Sequence, residues 1–148
     1  MRLTLDPVSV LAHILQTEGD TLQWTDPITG LACHVQRMLG RTWPDGHREH
    51  APLHLCGYVT IPGNVPKWWT EYNAPFQVHG GITYLATGAG TTIYGFDTAH
   101  AGDCVPAKDL YHGTYRDMDY CYGQTTALAA QLAKYFARRL HNRPKKGT

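Results

Sequence analysis

The stretch Phe76–Pro106 (FQVHGGITYLATGAGTTIYGFDTAHAGDCVP) limits what this chain can fold into more than any other. Gln77–Ala86 and Thr91–Thr98 alternate and are rich in β-branched and aromatic residues, the composition of strands. Between them, TGAGT supplies glycines for the positive φ values that a short hairpin loop needs. The segments predict one hairpin pivoting near Ala89. That pivot returns position 79 beside positions 98–100 and Gly81 beside Asp97, so His79, Asp97 and His100 meet at the open end. Asp103 follows on the exit loop. A one-residue slip of register inverts every face but leaves the clustering at that end intact. Gly80-Gly81, directly after His79, weakens a strand and marks a bulge or a close approach to the backbone. The plain alternative is a hairpin with polar ends and glycines that only serve its turns.

Around this hairpin the chain reads as strands followed by one long helix. Asp6-Pro7 opens a short helix, with Asp capping free N–H groups and Pro at the first position, and Glu18-Gly19-Asp20 closes it. Val10, Leu11, Ile14 and Leu15 fall on its one apolar face, with His13 at the boundary. Leu22–Asp26 and Leu31–Met38 flank the turn DPITG and form a hairpin carrying Trp24 and His34. Gly40–Pro52 is a polar surface loop holding His47 and His50. Leu53–Ile61 alternates as a strand, with His54, Cys56, Tyr58 and Thr60 on one face and Leu55, Val59 and Ile61 on the other. Gly63–Pro75 is a loop rich in Pro and aromatics, including Trp68, Trp69 and Tyr72. Asp117 or Asp119 caps the last helix, whose apolar face is Cys121, Thr125, Leu128, Leu132, Tyr135, Phe136 and Leu140.

The predicted fold class is α+β. An antiparallel sheet of about five strands has one face packed by the long C-terminal helix, with a short helix at the N-terminus. Residues 1–143 form a single domain and 144–148 a basic tail. The apolar runs are too short to cross a membrane and the N-terminus lacks a signal-peptide core, which places the protein in a cytoplasm. There, the well-separated Cys33, Cys56, Cys104 and Cys121 are free thiols, with Cys33 and Cys56 acting as core residues. Residues 1–133 hold seven Lys/Arg against twelve Asp/Glu, a net −5, which excludes a broad nucleic-acid surface. The six basic residues of 134–148 complement the dipole of the last helix.

Four motifs occur in order: HLCGYVTIP (His54–Pro62), VHGGITY (Val78–Tyr84), GFDTAHAGD (Gly95–Asp103) and GTYRDMDY (Gly113–Tyr120). Together they resemble a widespread family of small bacteriophage and prophage proteins with HLCGYV, VHGGLTY, W-x-GFDCAH-x-D and TYRDMDYV motifs and a closing helix. The resemblance covers roughly Cys33–Leu132, and departs from the family where Thr92-Ile93-Tyr94 stands in place of aromatic residues. It implies a phage origin, the cytoplasm of a host cell and a shared fold. It implies no activity.

Function therefore rests on side-chain chemistry, and three readings stay open. In the first, a phage accessory protein, in one version a counter-defence factor, binds a small phosphorylated or nucleotide-like ligand at the hairpin end. His79, Gly80, Gly81, Thr83, Asp97, His100 and Arg116 contact it, and Trp68 or Trp69 stacks on a base. In the second, His79, Asp97 and His100 do the acid–base work of a phosphoesterase-like hydrolase, or bind a divalent metal together with Asp103. His112-Gly113-Thr114 has the H-x-T form of two-histidine phosphoesterases, but the sequence after His79 supplies no second copy. In the third, the aromatic loop is an interface that inhibits a host protein. If the first two hold, His79 and His100 are part-exposed and contribute little to the core.

Overall fold

Five antiparallel strands form one sheet in the order β1-β2-β3-β5-β4. A computed structural model describes residues 6–40, 43–47, 51–63 and 74–141, with side chains as far as Phe136. The strands are β1 (Thr21–Thr25), β2 (Ala32–Arg37), β3 (Leu55–Pro62), β4 (Tyr84–Gly88) and β5 (Thr91–Asp97). Two helices flank them, α1 (Pro7–Thr17) and α2 (Met118–His141). This is the α+β domain that the alternation predicts. The loop bearing Trp68, Trp69 and Tyr72, and the basic tail, lie outside the described residues.

Each element begins where its chemistry dictates. Asp6 caps α1 with Pro7 at its first position, and Asp117 caps α2 by accepting the Tyr120 N–H at 2.8 Å. Asp26 closes the β1–β2 turn by accepting both the N–H and the hydroxyl of Thr29. Ala89 and Gly90 join β4 to β5 with φ values of +55° and +78°. Positive φ at both central residues matches the twist of a two-residue hairpin turn.

The sheet buries one face under α2. Trp24, Cys33, Val59, Tyr94 and Leu85 form a row across all five strands on that side. The Trp24 ring lies 4.6 Å from Tyr122 of α2, and Leu128, Ala129 and Leu132 complete the core. Helix and sheet pack tightly at Gly57, where an ideal Cβ would stand 2.3 Å from Phe96 Cε1 and 2.4 Å from Thr125 Oγ1. Gly57→Ala is therefore expected to lower the urea midpoint, costing about 1–3 kcal/mol through overpacking. An unchanged midpoint would show that α2 is not seated this closely. All four cysteines are free and buried. Burial raises their thiol pKa values, to about 11 for Cys33 and about 12 for Cys56 and Cys121.

The other anchor is ionic. Cys33, Val35 and Arg37 share the core-facing side of β2, so a guanidinium stands where an apolar residue is the norm. Arg37 is 3% exposed and meets the Asp20 and Glu18 carboxylates at 2.8 and 2.7 Å. It also donates to Gly19 O, Leu53 O and the Tyr115 hydroxyl, each at 2.9 Å. Glu18 in turn accepts the Met118 N–H at 3.0 Å and the Tyr115 O–H. The end of α1, the edge of β2 and the start of α2 are thereby joined at one point.

Candidate functional site

The expected strand over Gln77–Ala86 is shorter than its composition suggests, because β4 begins only at Tyr84. Gly80 and Gly81 adopt φ values of +68° and +83°, and the Gly81 N–H turns back to Val78 O at 2.8 Å. A ladder cannot pass through two consecutive left-handed residues. The pairing Tyr84↔Gly95 still aims position 79 at position 100, and the His79 and His100 rings lie 5.9 Å apart. The predicted clustering at the open end is present, built by a tight turn and not by a continued strand.

Asp103 organises the cluster. Its side chain is 1% exposed and accepts from His79 Nε2 at 2.8 Å, Arg116 Nε at 3.0 Å and the His100 backbone N–H at 3.0 Å. Burial alone would raise its pKa, but hydrogen bonds from His79, Arg116 and His100 together hold the carboxyl below its ordinary range. An ionised carboxylate only accepts, so the His79 proton sits on Nε2. In the neutral imidazole, His79 Nδ1 then accepts from the Tyr120 hydroxyl, 2.7 Å away. The backbone N–H of His79 donates to Gln124 Oε1 at 2.9 Å, fixing the turn to α2.

The remaining predicted residues take distinct places. His100 Nε2 is 3.2 Å from Asp97 Oδ1 but lacks hydrogen-bond geometry to it or to any described residue. An ideal Cβ on Gly80 would lie 2.1 Å from that same nitrogen, so glycine is what admits the His100 ring. Gly81 spends its N–H within the turn. Thr83 belongs to the hairpin, its N–H on Gly95 O at 2.9 Å. The arginine fits best. With Nε on Asp103, Arg116 is 28% exposed, lies over the Tyr120 ring at 5.0 Å, and keeps its terminal nitrogens free of hydrogen bonds to described residues. His100 is 33% exposed as expected, whereas His79 is 14% exposed with both ring nitrogens engaged.

For the metal reading, His79, Asp97, His100 and Asp103 do not converge. Among the described residues no three His, Cys, Asp or Glu side chains are placed to hold one ion. Trp68 and Trp69 lie outside the described residues.

Three contributors went unpredicted. Tyr120 and Gln124 reach His79 from one face of α2, and their four-residue spacing is the signal that pairs them. His54 is the third. It is buried with Nδ1 unpartnered among the described residues, and desolvation lowers its pKa despite the nearby charge of Asp97. In comparisons with family models, curated proteins and solved structures nothing matches this chain, so no relative's activity carries over to it.

Proposed function

We propose that the chain binds a small phosphorylated or nucleotide-like ligand at the open end of the β4–β5 hairpin. From its four-motif resemblance, we propose that it does so as an accessory protein of a bacteriophage within the host cell, acting on a small molecule such as a defence signal. The observation that carries the ligand class is Arg116. A buried carboxylate grips Nε and leaves the two terminal nitrogens as a preset fork, the geometry suited to phosphate oxygens. His100 is joined to the same carboxylate through its backbone N–H, and its part-exposed ring, whose Nε2 has no hydrogen bond among the described residues, adds a second nitrogen donor to the reading.

Isothermal titration with inorganic phosphate and with a nucleoside monophosphate tests this. Arg116→Lys keeps the charge but not the fork. Losing one charge-assisted hydrogen bond costs about 1.5–3 kcal/mol, so affinity should fall by about tenfold or more. Equal affinities for both proteins, or no binding by the wild type, would overturn the reading.

A further inference from the structure

We propose that Asp103, His79 and Tyr120 form a proton relay that makes the Tyr120 phenol a nucleophile toward phosphorus, so that the site cleaves a phosphate ester as well as binding one. The substrate class rests on the phosphate-binding reading above; the relay rests on geometry alone. Three features carry it. Asp103 is buried and accepts from three donors, so it fixes the His79 tautomer without itself being available to take a proton. Nδ1 of His79 consequently faces the Tyr120 O–H at 2.7 Å as a base. Arg116 touches both ends, its Nε on Asp103 and its Cζ 5.0 Å from the Tyr120 ring centroid, which places a fixed cation over the face of the ring whose oxygen would become anionic. A buried acid that orients a histidine whose other nitrogen holds a hydroxyl is the arrangement by which hydroxyl nucleophiles are activated on unrelated folds.

The chemistry balances with water as the sole co-reactant. Tyr120 Oη bonds to phosphorus while its proton passes to His79 Nδ1, and the imidazolium lies between the reacting oxygen and the Asp103 carboxylate. The P–O bond to the leaving group breaks, and the leaving oxygen takes that proton. Water then attacks the phosphotyrosyl group, His79 accepts a proton from the water and returns it to the phenol, and the phosphate product departs. Tyr120 and His79 act at the reacting atoms, while Asp103 is a positioning residue.

The test uses diethyl p-nitrophenyl phosphate, a neutral triester that transfers its diethylphosphoryl group to activated hydroxyls and releases p-nitrophenolate. Peptide mapping by mass spectrometry locates the label on the intact wild-type chain. Tyr111, 77% exposed and with no relay, is an internal control. General-base assistance contributes about 10²–10⁴-fold, so Tyr120 should be labelled more than about tenfold faster than Tyr111 even though it is half-buried. His79→Gln should bring Tyr120 down to or below the Tyr111 rate, with its urea midpoint checked alongside. Labelling of Tyr111 as fast as Tyr120, or a Tyr120 rate unchanged by His79→Gln, would overturn the relay. If the variant does not fold, the wild-type comparison of the two tyrosines decides alone. Phosphate binding is measured separately. Binding without selective labelling removes the relay and leaves the binding reading, and selective labelling without phosphate binding does the reverse.

Discussion

Arg37→Met is expected to destabilise the fold by about 3–5 kcal/mol, the cost of breaking a buried ion pair from one side. Methionine fills much of the volume but offers none of the donors. The guanidinium has five N–H groups, and five acceptors meet it: Asp20, Glu18, Gly19 O, Leu53 O and Tyr115. Without it, the Glu18 carboxylate, 11% exposed, keeps among the described residues only the Met118 N–H and the Tyr115 hydroxyl. Urea denaturation with an unchanged m-value is the measurement. Arg37→Lys should recover part of the loss, since an ammonium supplies charge but fewer donors and no planar fork. A loss under about 1 kcal/mol for Arg37→Met, the worth of an exposed pair, would mean that water already reaches the cluster.

Asp103→Asn should harm both the fold and the site. The amide presents an NH₂ where His79, Arg116 and the His100 N–H all donate, so at least one donor faces another. Hydrogen bonds to a charged group contribute on the order of 1.5–3 kcal/mol, and a loss of about 3 kcal/mol is expected near neutral pH. Phosphate binding and selective Tyr120 labelling should disappear together, because the same carboxylate positions Arg116 and His79. The pH dependence follows from the sign of the shift. The folded carboxyl is held below its unfolded pKa, so its contribution is present above the ordinary carboxylate range and is lost as pH falls through the folded value. The difference between wild type and Asp103→Asn should thus shrink on acidification. A difference that stays constant from neutral pH down to about pH 3 would mean that the two carboxyl states are not distinguished by folding.

Much of this arrangement was legible from residue order alone, for local reasons. The caps at Asp6 and Asp117, the Asp26 turn, the alternation of β3 and the pivot at Ala89-Gly90 are all set by neighbours in sequence. So was the meeting of His79 with His100 and Asp103, because a hairpin pivot fixes distances along both arms. What stayed hidden depends on packing between distant segments. Tyr120 lies 41 residues from His79 and Gln124 lies 45, and no hairpin rule reaches that far. Arg37 did leave a trace, since it falls in step with Cys33 and Val35, and a charge on a core-facing parity must have acids waiting for it. The shortened β4 left one as well, in the paired glycines after His79. Composition argued for a strand across Val78–Thr83, and backbone conformation at two residues overruled it.

The loop between β5 and α2 is fastened at its neck. Cys104 N–H donates to Thr114 O at 2.9 Å, Thr114 N–H donates to Gly102 O at 2.7 Å, and Asp103 pairs with Thr114 in a short bridge. Gly113 crosses so closely that a Cβ there would stand 2.5 Å from the Asp103 carbonyl carbon. His79, His100 and Asp103 lie before or at this fastening and Arg116 and Tyr120 after it, while the outer part of the loop from Ala107 to His112 is largely exposed. Chemistry and periphery are thereby uncoupled. A change of length or sequence confined to Lys108–His112 therefore leaves the hydrogen bonds of the neck, and the Asp103 contacts behind them, in place.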